Sequence, residues 1–193
     1  MVIIKDGSTG NTAQVTEDNL LHVLSTQHSL ESFQSLEEQN VFLIGTNFLP
    51  LTATEGLMLY IDNQSEFDMV LSNIVISWNG GDTNFNRPVF LRFEKGATTP
   101  TTNTTSITAN NANFSSTKLS GITILEWDGV GTGMTGGVAG TDVDRAISSI
   151  GSLPLQIRGV IRVSSGQTLA IHARGEEIGT LVVGSRWIET NKF

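Results

Sequence analysis

The stretch Leu155-Gln156-Ile157-Arg158-Gly159-Val160-Ile161-Arg162-Val163 decides the fold. Leu155, Ile157, Gly159, Ile161 and Val163 share one parity, while Gln156, Arg158, Val160 and Arg162 share the other. Successive side chains of a strand point to opposite faces, so strict period two marks a strand with one face on a core. Ser164-Ser165-Gly166 ends it with turn chemistry. Further short runs follow at Leu169, Ile171 and Ala173, at Leu181-Val182-Val183 and at Trp187-Ile188.

The same rhythm continues toward the N-terminus. Val41-Phe42-Leu43-Ile44 is a strand-length apolar run ended by Gly45. Leu57, Leu59 and Ile61 alternate with Met58 and Tyr60 and stop at Asp62-Asn63. Met69-Val70-Leu71 comes next, then Ile74, Ile76 and Trp78, ended by Asn79-Gly80-Gly81. Val89, Leu91 and Phe93 form another alternating set, as do Ile122, Ile124 and Glu126 against Thr123, Leu125 and Trp127. About eight to ten short strands separated by turn signals predict an all-β chain built as an antiparallel sandwich or barrel.

Two stretches break the rhythm. Residues 96–120 are nearly all Thr, Asn, Ser and Ala, and residues 128–152 hold seven glycines. Both read as long surface excursions pinned by a few apolar side chains, where a partner is met. The first 38 residues also stand apart. Val2-Ile3-Ile4, a turn at Asp6-Gly7-Ser8-Thr9-Gly10-Asn11, and then Ala13, Val15, Leu20, Leu21 and Val23 predict two short strands. A two-stranded hairpin is marginal alone, so residues 1–38 are expected to be an arm that needs a partner surface. Residues 25–40 fit a short helix or an extended linker equally, and residues 39–193 form the β-sandwich body.

Composition narrows the function. The 193 residues hold 11 Lys+Arg against 19 Asp+Glu, for a formal net charge of −8. Phosphate-backbone affinity comes from Lys and Arg, so nucleic acid is not an expected partner. Cys 0 removes disulfides, thiolate metal sites and cysteine nucleophiles. No stretch reaches the roughly 20 apolar residues of a membrane helix, and the charged start at Lys5-Asp6 does not read as a signal peptide. No membrane partner is expected.

Motifs of chemistry are incomplete. Gly131-Thr132-Gly133-Met134-Thr135-Gly136 has the letters of a dinucleotide fingerprint, but Gly137-Val138-Ala139-Gly140 cannot nucleate the helix that the mechanism needs. It reads as a loop. His172, followed by Glu176 and Glu177, is half of a cupin-like metal signature with Arg at position 174, and no metal is assigned. Asp142 and Asp144, with Asp128 upstream, supply only part of a calcium shell, so a solvated loop is expected there. Glu126 has no partner carboxylate marked by spacing, which leaves glycoside hydrolysis without a mechanism. No catalytic residue or cofactor is expected, and the chain reads as a non-enzyme. Arg158 and Arg162 flank Val160 on the polar side of the decisive strand, a solvated face or an interface for carboxylates. Trp127 is the residue best suited to stack a sugar.

Lys5-Asp6-Gly7-Ser8-Thr9-Gly10-Asn11-Thr12-Ala13-Gln14-Val15, followed by Asn19-Leu20-Leu21-His22-Val23, resembles the N-terminus of virion structural proteins of tailed bacteriophages. Ile161-Arg162-Val163-Ser164-Ser165-Gly166-Gln167-Thr168-Leu169-Ala170-Ile171 is similar to the closing strands of viral jelly rolls. The resemblance implies a jelly-roll-like antiparallel β-sandwich with an N-terminal arm. It further implies a capsid decoration (cement) protein, a homotrimer on the outer capsid surface of the virion, bound to the major capsid protein. Val2, Ile3, Ile4, Val15, Leu20, Leu21 and Val23 of the arm, with Arg158 and Arg162, are then the interface residues. Phe42, Trp78 and Phe90 are apolar groups that oligomerisation would cover if the monomer leaves them exposed. The alternative is a head-fibre or tail protein that binds host-surface glycans through Trp127.

Overall fold

The computed structural model describes residues 2–5, 12–15, 21–24, 40–80, 88–148, 155–175 and 179–190. The chain divides into two compact units, residues 1–33 and 34–193. Leu20 and the linker between Ser25 and Gln39 lie outside the described residues.

The first unit contains three strands where the sequence led us to expect two. β1 (Val2–Lys5), β2 (Thr12–Val15) and β3 (Leu21–Leu24) form an antiparallel meander in that order. Val15 pairs with Val2 on one side and with Leu21 on the other. Each apolar run is long enough for only four residues of pairing, so the outer strands β1 and β3 each keep one open edge within this sheet.

The second unit is an all-β sandwich of two antiparallel sheets packed on one core. Its strands are β4 (Val41–Gly45), β5 (Leu49–Leu51), β6 (Gly56–Asn63), β7 (Asp68–Gly80) and β8 (Val89–Lys95), then β9 (Thr104–Ser106), β10 (Asn110–Asn111) and β11 (Thr123–Trp127). β12 (Thr141–Ser148), β13 (Leu155–Val163), β14 (Gln167–Gly175) and β15 (Gly179–Thr190) complete it. The first sheet runs β10-β4-β15-β7-β13, with β5 also on β15, and the second runs β12-β8-β14-β6-β11-β9.

The pairing is nested. β4 pairs with β15, β6 with β14, β7 with β13 and β8 with β12. The chain therefore runs out along four long strands and returns along four, each of which meets its counterpart in reverse order. Most pairs are distant in sequence, so apolar faces rather than short hairpins set the register.

The parity seen in the sequence is the parity of burial. Leu181, Val183 and Trp187 on β15, with Leu169, Ile171 and Ala173 on β14, are buried in the shared core. Phe42, which oligomerisation would cover only if the monomer left it exposed, is fully buried and stacks on Trp187 with ring centroids 5.9 Å apart. The β-body itself therefore covers Phe42, and nothing of that ring is left for oligomerisation to bury. Phe90 is half-buried under the guanidinium of Arg174, and the Trp78 side chain lies outside the described residues.

The two irregular stretches are not simple surface excursions. Residues 141–148 form strand β12 against β8, so Asp142 and Asp144 stand on a strand and not in a loop. β9 and β10 interrupt the Thr/Asn-rich segment. The glycine-rich segment is tied to β6 by the bridge between Met134 and Leu57, and to the first stretch by the bridge between Thr135 and Thr102. The Val138 N–H donates to Thr98 Oγ1 at 2.7 Å, a further tie between the two stretches. These contacts lay part of residues 97–139 over the outer face of the second sheet. Tyr60, Met58, Ala170 and Glu94 are buried as a result.

Candidate functional site

Among the described residues, a set of interacting charged side chains sits where this outer layer meets the second sheet. Register builds it in two rows. Arg145 pairs with Arg92, and Arg92 with His172, across β12, β8 and β14. One row on, Asp142 pairs with Glu94, Glu94 with Ala170, and Ala170 with Tyr60 on β6. A cationic row thus lies beside an acidic one.

Arg92 is the hub. Its Nε donates to Glu55 Oε1 at 2.7 Å, and its Nη1 donates to Asp142 Oδ1 at 2.7 Å and to Glu94 Oε1. Arg145 Nη2 donates to Asp142 Oδ2 at 2.5 Å. The two guanidinium hydrogen bonds hold the Asp142 carboxyl below the usual carboxylate range. Glu94 also accepts from Gly140 N–H at 3.1 Å, which fastens the outer layer to the sheet.

His172 faces the same carboxylate, with Nε2 at 3.2 Å from Glu94 Oε2 but outside hydrogen-bonding geometry. Burial, then the charge of Arg92, push its pKa down to about 4. The imidazole is therefore neutral at pH 7, because burial penalises its charged form and the Arg92 charge repels it. These groups line a crevice of about 270 Å³ whose other wall is the Thr132–Thr135 segment, with Thr98 and Val138. It holds a neutral histidine and carboxylates already neutralised by arginine. Through Arg92, Glu94 and the Gly140 N–H, this arrangement braces the outer layer against the sheet.

The remaining sequence candidates are placed as follows. Asp142 is occupied by two arginines, and the Asp144 carboxylate accepts from Arg145 N–H at 2.7 Å. Among the described residues no group of three or more His, Asp or Glu side chains could hold a metal ion. Glu126 is buried and accepts from the backbone N–H of Asn47 at 2.8 Å and from Asn47 Nδ2. It ties the loop after β4 to β11. Trp127, the candidate sugar platform, is only 2 % exposed, and its Nε1 donates to Val130 O at 2.6 Å. The ring is core and offers no face to a sugar. Its parity on β11 gave no warning, because the 97–139 layer buries the outward side as well.

Arg162 donates to Asp68 from Nε and Nη2, a partner the sequence did not suggest. Arg158 pairs by register with Asn73 on β7, and its side chain lies outside the described residues, as do the side chains of Val2, Ile3, Ile4, Val15, Leu21 and Val23. Between the edge strands β12 and β13 an apolar groove of about 400 Å³ opens, lined by Phe93, Val143, Ile161, Val163 and Leu169. No known protein family matches the chain, and neither does any curated protein or any solved structure.

Proposed function

We propose that this is a non-enzymatic virion protein of a tailed bacteriophage, a decoration or cement protein that binds the outer head surface and braces the capsid lattice. The observation that carries the reading is the division into a filled β-body and a separate three-stranded N-terminal unit with two open edges. Open edges accept a strand from a partner through main-chain hydrogen bonds. The nested strand order of the body supports a jelly-roll reading, in which the out-and-back chain is rolled into two sheets. The carboxylates of Asp68, Glu94, Glu126 and Asp142 are bound to arginines or amides, which favours adhesion over chemistry. The partner in this reading is the major capsid protein, and a trimer would add modest contacts into avidity.

The experiment is deletion of residues 1–38. The core described above lies within residues 42–187, so the body is expected to fold, with unchanged near-ultraviolet circular dichroism. It should no longer sediment with empty phage heads. A truncated protein that still decorates heads refutes the arm's role.

A further inference from the structure

Asn40, Lys118 and Glu189 come from three distant parts of the chain and meet at one end of the first sheet. Asn40 stands immediately before β4, and the contact of β4 with β15 continues past Ile188, since Glu189 N–H donates to Asn40 O at 2.9 Å. Lys118 belongs to the Thr/Asn-rich segment, whose Ala112 N–H donates to Val41 O at 2.8 Å. The Lys118 Nζ donates to Asn40 Oδ1, 78 positions away, and lies 6.0 Å from the centre of the Phe67 ring. An amine is thus held one bond from the acyl carbon of a carboxamide.

The third group is a carboxylate of unusual character. Glu189 is only 3 % exposed, and it accepts from Ser120 Oγ, two residues after Lys118, at 2.5 Å. Burial holds its carboxyl above the usual carboxylate range, while the Ser120 hydroxyl and the nearby charge of Lys118 pull the other way. Such a group takes up and gives back a proton more readily than a solvated carboxylate at neutral pH.

We infer that Lys118 and Asn40 join in an isopeptide bond within the chain, with Glu189 carrying the proton. The unprotonated Lys118 Nζ attacks Asn40 Cγ, and the bond from Cγ to Nδ2 breaks. Glu189 takes the proton that Nζ sheds and hands it to Nδ2, which leaves as ammonia. The carboxylate ends as it began, and no oxidant, reductant or cofactor enters the balance. Holding amine and carboxamide in contact turns a slow bimolecular aminolysis into an intramolecular one. The product fastens the start of β4 covalently to the Thr/Asn-rich segment. It is a single event in the life of each chain and not a turnover of substrate. The inference stands apart from the capsid reading, since it is read on the isolated protein.

Intact-mass spectrometry of the full chain tests it, after incubation at mildly alkaline pH where more lysine amine is free of its proton. The wild type is expected to become lighter by one ammonia, and its tryptic digest to yield a branched peptide joining the Asn40 and Lys118 segments. Lys118→Arg and Asn40→Ala should keep the full mass, and Glu189→Gln should cross-link about 100-fold more slowly. A wild type that keeps its full mass overturns the inference. So does a Lys118→Arg protein that still sheds ammonia, because the loss then comes from an asparagine cyclising on its own backbone. Cross-linking of Glu189→Gln at the wild-type rate overturns the role given to that carboxylate. Lys118→Arg, at an exposed position, keeps the test decisive should Glu189→Gln misfold.

Discussion

Arg162 on β13 closes on Asp68 at the start of β7, donating from Nε at 2.9 Å and from Nη2 to the same carboxylate oxygen. The other oxygen of Asp68 accepts from Ser165 N–H at 3.2 Å. One buried carboxylate therefore fixes both the end of β13 and the turn that follows it. A guanidinium used this way works first for the fold.

Arg162→Ala should accordingly destabilise the body by about 2–3 kcal/mol, because it strands a buried carboxylate. Asp68→Asn should cost less, since the guanidinium left behind is partly in water. Urea unfolding of both variants checks the order. An Arg162→Ala protein with an unchanged midpoint would return that arginine to the role of a partner contact.

Acid should weaken the body through His172. The unfolded imidazole titrates near its ordinary 6.5, while burial and Arg92 hold the folded one at about 4. Within that window the unfolded state binds the extra proton, so stability falls as pH drops from 6.5 toward about 4. The loss attributable to this group is at most ~3 kcal/mol. Glu94, Arg92, Glu55 and Asp142 face it from the neighbouring elements. Denaturation of His172→Gln across the same range should show a shallower slope, and a parallel slope would remove His172 from the account.

Gly56→Ala should loosen the outer layer, because its Cβ would overlap the Thr132 carbonyl and the two backbones must part. A cost of about 1–3 kcal/mol is expected for such overpacking. Limited proteolysis should cut first within residues 128–140. Cleavage elsewhere at the wild-type rate would show that the layer does not depend on this contact.

Trp127→Ala should act on stability. Truncating a buried tryptophan typically costs about 3–5 kcal/mol, and the Val130 carbonyl loses its donor. Thermal unfolding measures this. Glycan binding that vanishes in this variant while the melting temperature is unchanged would restore Trp127 as a sugar platform.

Much of the architecture was present in local pattern. Alternation at Leu169, Ile171 and Ala173, and at Leu181 and Val183, named inward-facing residues before any pairing was known, because a strand's period of two is a property of the backbone itself. The absence of cysteine likewise removed disulfides and thiolate chemistry from the residues alone.

The partners of those strands were decided only in three dimensions. Nested pairing brings Asp68 to Arg162, 94 positions away, and β8 beside both β12 and β14. It also lets the 97–139 segment bury the outward side of the second sheet, hiding Trp127 and keeping the half-buried His172 neutral. One-dimensional periodicity reports how a residue faces its own strand. Whether the other side meets water, a loop or another subunit depends on segments far away in the chain, and that only the packed molecule settles.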